Sequence, residues 1–142
     1  EELLAHDDNM FFASIHGTEC EPYVGFFFGA YSMCLAYDGD FYPTTGGPTD
    51  VNAPNVLNVP LRIHAGSAEF RAAFDRVLAR LDAFAPQLVL LSSGFDAHRL
   101  DPVAAAGGGL HVDFDDFRWL TAETRRVAAR HAAPIVSVLE GM

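Results

Sequence analysis

An α/β fold built on a parallel sheet is predicted for this chain, on three observations. Apolar runs of strand length alternate with segments of helical periodicity; the strongest run is apolar throughout; and the polar residues that break the pattern gather at the carboxyl ends of the runs. With 142 residues, half of them hydrophobic, the chain is long enough to bury one core and matches the commonest domain size.

The elements follow in order. Residues 10–15 (MFFASI) form a short apolar run ending at His16, and residues 56–60 (VLNVP) a weaker strand. In residues 67–84 (SAEFRAAFDRVLARLDAF), Phe70, Phe74, Val77, Leu78, Leu81 and Phe84 recur at helical spacing. Ser67 is the expected N-cap, Glu69 complements the helix dipole, and Pro86 stops the helix. Residues 87–93 read as a strand covered on both faces, because the run Leu88-Val89-Leu90-Leu91 within them is continuously apolar. A glycine-rich loop, 94–112, leads to a second helix capped by Asp113 that turns Phe117, Leu120, Val127 and Ala128 inward. Residues 135–139 close the pattern as a final strand. The order β, β, α, β, α, β implies right-handed crossovers and a parallel sheet, and such sheets bind ligands beyond the carboxyl ends of their strands. Residues 17–38, which hold both cysteines and three consecutive phenylalanines, fit neither period.

Three polar groups stand at strand ends: Ser14-Ile15-His16, Ser93-Gly94-Phe95-Asp96 and Glu140-Gly141. Asp96, held by a tight turn, has the chemistry of a Zn²⁺ ligand. It has equally the chemistry of an acceptor for the N–H groups of its own turn. His98 reads as a ligand, a general base or an exposed loop residue without a role, and Asp101-Pro102 as a turn pair. His6, His64, His111 and His131 lack mutual ligand spacing such as HxxxH, and no HExxH, Walker loop or nucleophile elbow is present.

Nineteen acidic residues against nine basic give a formal charge of −10. That is the wrong sign for gripping a phosphate backbone, so direct nucleic-acid binding is not expected. Cys20 and Cys34 form no CxxC pattern, and a reducing compartment is the default. No run approaches the roughly 18 apolar residues of a membrane span, and the acidic start is unlike a signal peptide. An intracellular location, nuclear or cytoplasmic, and no membrane partner are expected.

LVLLSSGFDAHRLDP, DFDDFRWLT and PIVSVLEG together resemble the C-terminal half of zinc-dependent histone deacetylases and their acetylpolyamine amidohydrolase relatives, with GFDAHxxDP nearest the class II branch. EELLAHDDNMFFASIHG and DFYPTTG extend the resemblance across nearly the whole chain. It implies a three-layer arginase/deacetylase-like fold, present in part, over residues 1–142, with 17–38 as an atypical insertion. It implies Zn²⁺ in the intact enzyme, with Asp96 as one zinc ligand. Ser14 and Ile15 match ligands of a monovalent cation such as K⁺, and the carbonyls of Leu4, Asp7 and Met10 match a second such site. Phe41, Tyr42, Gly94 and Phe95 match the channel that receives an acyl-lysine, and His98 matches no ligand. The implied chemistry is metal-assisted amide hydrolysis of an acetylated protein or polyamine, with corepressor-type proteins as partners.

The resemblance also implies what these residues lack. The family's Asp-x-His segment, its His-His dyad and its oxyanion-binding Tyr have no counterpart in the sequence, so no catalytic residue of the pattern is retained. The chain reads as cut at both ends, and by itself it is expected neither to hold zinc tightly nor to deacetylate.

Overall fold

The structure, a computed structural model, describes residues 4–17, 53–105 and 109–140. The elements are β1 (Phe12–Gly17), β2 (Val56–Leu61), α1 (Ser67–Phe84), β3 (Val89–Gly94), α2 (Pro102–Ala105), α3 (Phe114–Arg130) and β4 (Ile135–Glu140). The expected order therefore holds, with the four-residue α2 added: Pro102 opens a helical turn instead of closing a simple one, consistent with proline at a first helical position.

Both strand pairings are parallel. β1 pairs with β2, Phe12 opposite Val56, and β3 with β4, Val89 opposite Ile135. Among the described residues these are two separate two-stranded sheets, not one continuous sheet. Pro60 lies opposite His16 in β2; lacking an N–H, it suits a strand bonded on one side only.

Helix α1 has the boundaries its periodicity predicts, but its N-cap is Gly66, one residue earlier than expected. The Glu69 carboxylate accepts the Gly66 N–H at 3.2 Å, while the Ser67 hydroxyl donates to Asp116 across the interface with α3. The helix ends at Ala85, which takes a left-handed conformation and donates its N–H to the Asp82 carbonyl before Pro86. Helix α3 begins after Asp113 as expected, although the Asp113 carboxylate accepts from Arg99 Nε at 2.9 Å and Asp116 bonds the Asp113 N–H.

Ala65, Phe70, Leu110 and Val112 make the core cluster, with Ile15, Leu61, Ala97, Phe117 and Leu120 packed on it. The core thus lies where the carboxyl ends of β1 and β2 meet the first turns of both long helices. β3 departs from the reading of residues 87–93 as a strand covered on both faces, and its partner β4 is exposed beside it. Leu88 is 50 % exposed, Leu90 67 % and Val138 50 %. Nothing among the described residues packs over that face, so continuous apolarity did not bring burial on both sides. No described helix is long and apolar enough to cross a membrane.

Candidate functional site

β3 delivers Gly94, Phe95 and Asp96 to its carboxyl end beside the end of β4. A Cβ on Gly94 would stand 3.0 Å from Asp96 Oδ1 and 3.7 Å from the Glu140 carbonyl. The Asp96 carboxylate thus folds back over the strand end, close against Gly94. The turn itself is closed by main chain: the His98 N–H donates to the Phe95 carbonyl at 3.0 Å, and the Asp101 N–H to the His98 carbonyl at 2.8 Å. Among the described residues no hydrogen bond reaches the Asp96 carboxylate, which is exposed. Of the two roles open to Asp96, that of acceptor for its own turn is therefore not the one seen. On the neighbouring strand, Glu140 Oε1 accepts from the Ser92 hydroxyl at 3.0 Å.

His98 is not the exposed loop residue considered from sequence. It is 8 % exposed, bridges to Val112, and rests its ring 4.4 Å from that of Phe114. Its Nδ1 accepts the Leu100 N–H at 3.2 Å, which leaves the proton on Nε2, 3.9 Å from Asp113 Oδ1. These contacts make His98 a packing residue that holds the Asp96 turn against α3. Phe95 is half exposed, with its ring edge-on to Phe117 at 5.1 Å. It opens a groove of about 960 Å³ between α3 and the β3–β4 pair, lined also by Leu91, Ser93, Thr121, Arg125 and Leu139.

At the end of β1, alternation places Ser14 and His16 on one face and Ile15 on the other. Ser14 Oγ lies 3.0 Å from His16 Nδ1, and Ile15 packs on the core. The carbonyls of Leu4 and Asp7 converge on one group: Asn55 Nδ2 donates to both, at 2.6 and 3.1 Å, while Asn55 Oδ1 accepts the His6 N–H. Asn55, 8 % exposed, is thus the clasp of the first loop. Sequence reasoning missed it, because an Asn after a proline reads as a turn residue. Phe41 and Tyr42, and all of the 17–38 segment except Gly17, lie outside the described residues.

A catalytic zinc takes three protein ligands. Among the described residues no group of three or more His, Cys, Asp or Glu side chains comes together. These residues on their own therefore do not fit a resident zinc; Asp96 offers a single exposed carboxylate.

Two constellations were not legible in sequence. Asp116, 1 % exposed, accepts from Ser67 Oγ at 2.6 Å, Arg71 Nε at 2.7 Å and the Asp113 N–H at 2.9 Å. Burial pushes its carboxyl up, but these three hydrogen bonds and the Arg71 charge together hold it below the ordinary Asp value. His64 and His111, which lack any motif spacing, meet with Nδ1 and Nε2 2.9 Å apart. The His64–His111 pair and the Ser67 and Arg71 contacts of Asp116 have no local signature, since each joins residues more than forty positions apart.

Comparison with known proteins gives consistent results. Residues 1–141 match the family described as "Histone deacetylase domain". The chain is 34% identical, over 99% of its length, to Type-2 histone deacetylase 2 of Dictyostelium discoideum, and covers 8% of that protein. It is 39% identical, over 78% of its length, to the histone deacetylase-like amidohydrolase of Pseudomonas aeruginosa, and covers 30% of it. The crystal structure of the HDA15 HD domain superposes with a TM-score of 0.72 at 24% identity, covering 99% of this chain and 36% of that one. The chain thus spans less than a third of the length of these two curated relatives.

Proposed function

The chain belongs to the histone deacetylase domain family, and from that premise we propose that it is the portion of a zinc-dependent amidohydrolase that supplies one metal-ligating carboxylate and part of the substrate channel. The substrate class is an acetyl-lysine side chain of a histone or other protein, or a related acetylated amine. The observation that supports this is Asp96: an exposed carboxylate at the carboxyl end of a parallel strand, where α/β sheets place ligands, with no hydrogen bond among the described residues to occupy it. Phe95 beside it offers an aromatic surface suited to the apolar stem of an acyl-lysine. His98 and Gly94 position the carboxylate and do no chemistry.

One carboxylate does not hold a catalytic metal, so the 142-residue chain by itself is inactive on this reading. Isothermal titration with Zn²⁺ is expected to show no stoichiometric site at Asp96 of sub-micromolar affinity, and an acetyl-lysine peptide is expected to survive incubation with the chain. Turnover above the rate of a D96N variant would overturn the reading. A second reading, a non-catalytic partner-binding module for corepressor-type proteins, draws on the apolar face of β3–β4 that no described residue covers, with Leu90 67 % exposed.

A further inference from the structure

We propose that His64 and His111 form a two-point chelate for a tetragonal divalent transition cation, with Cu²⁺ and then Ni²⁺ preferred. The observation is a distance and an angle. His64 Nδ1 and His111 Nε2 are 2.9 Å apart, and the rings are tilted by 55° with centroids 4.6 Å apart. Imidazole nitrogens bind such cations at about 2.0–2.1 Å, so two of them at right angles around one ion stand about 2.9 Å apart, whereas tetrahedral placement needs about 3.3 Å. The bite thus suits neighbouring corners of a square-planar or octahedral ion. Both rings are exposed, so the remaining positions are open to water.

The backbone holds the pair ready. The His64 N–H donates to the Gly109 carbonyl at 2.9 Å, the His111 N–H donates to the Ala65 carbonyl at 2.9 Å, and Gly66 bridges to His111. Gly109 is itself confined, since a Cβ there would come within 2.8 Å of Ala104 Cα. His64 is held at φ 63°, a left-handed conformation uncommon for a non-glycine residue. In the metal-free chain one ring donates its proton to the other. On binding, that ring shifts the proton to its far nitrogen, and both lone pairs turn to the ion. Among the described residues no acidic side chain joins them, so affinity rests on two nitrogens.

The test is titration of the full chain with Cu²⁺, read by calorimetry and by the nitrogen hyperfine pattern in electron paramagnetic resonance. The first equivalent is expected to show two equivalent nitrogens and to lose that pattern when urea unfolds the chain. H64N, chosen because Asn tolerates a positive φ, and H111Q are each expected to weaken binding by roughly tenfold or more, with H6N unchanged. A one-nitrogen spectrum in the unaltered chain, a two-nitrogen pattern that survives urea, or affinity retained in H111Q overturns the proposal. The spectrum of the unaltered chain decides even where a variant fails to fold.

Discussion

Asp116 shows how a residue that reads as helix surface becomes a fixed point of the fold. It stands in the first turn of α3, where a carboxylate complements the helix dipole, but its three donors come from Ser67, Arg71 and Asp113. The Arg71 side chain is 41 % exposed, so solvent screens its charge, and the hydrogen bonds from Ser67 and the Asp113 N–H weigh more in holding the carboxyl down. In D116N one amide oxygen replaces two carboxylate oxygens and an NH₂ group meets donors, leaving at least one buried hydrogen bond unmade. We expect a loss of about 2 kcal/mol at neutral pH. Because the folded carboxyl titrates below the unfolded one, its stabilisation is complete above the unfolded value of about 3.9 and is lost as pH falls through the folded value. Urea titrations from pH 7 to pH 3 check this: the gap between parent and D116N should stay flat down to about pH 5 and narrow below about pH 4. A gap independent of pH would show that shape, not charge, is what Asp116 provides.

Among the elements, the two long helices were the most legible, because each carries its own record. The spacing of Phe70, Phe74 and Leu78 fixes a face, and Pro86 a stop. The strands were legible as apolar runs, but the extent of their burial was not. Leu88-Val89-Leu90-Leu91 has the same composition whether or not a layer covers it, and only Val89 of the four is buried here. The place of Asp96 just beyond a strand was legible, because the apolar run and the turn after it are both local. The His64–His111 pair and the Asn55 clasp were not, since tertiary packing alone brings their parts together. The exposed face of β3–β4 makes a prediction at this scale. Among the described residues, Leu90, Val136 and Val138 form a contiguous apolar strip on a two-stranded sheet with no layer over it, a template for association. Replacing Leu90 by Lys is expected to change unfolding free energy by no more than about 0.5 kcal/mol, as for a surface position, while lowering self-association measured by light scattering. A loss of about 2 kcal/mol or more would mean that the face is buried in the folded chain.

At the scale of the whole molecule, stability is distributed unevenly. The core cluster draws on β1, β2, α1, α3 and the segment around Leu110 and Val112, the last fully buried. β4, by contrast, is exposed along nearly its whole length and is held chiefly by its ladder to β3. A two-stranded pair with one bare face is marginal in water without a covering layer. Its opening free energy should therefore lie well below that of the core, since local opening follows buried apolar contact and not hydrogen-bond count alone. Native-state hydrogen exchange measures this directly. The amides of β1, of the first half of α3 and of α1 around Phe70 to Leu78 are expected to share the highest protection. Those of Val136 to Leu139 should exchange at least about tenfold faster, a difference of about 1.4 kcal/mol or more. If β4 instead exchanges with the core, the two sheets unfold as one cooperative unit, and the β3–β4 ladder is stabilised by contacts beyond those of the described residues.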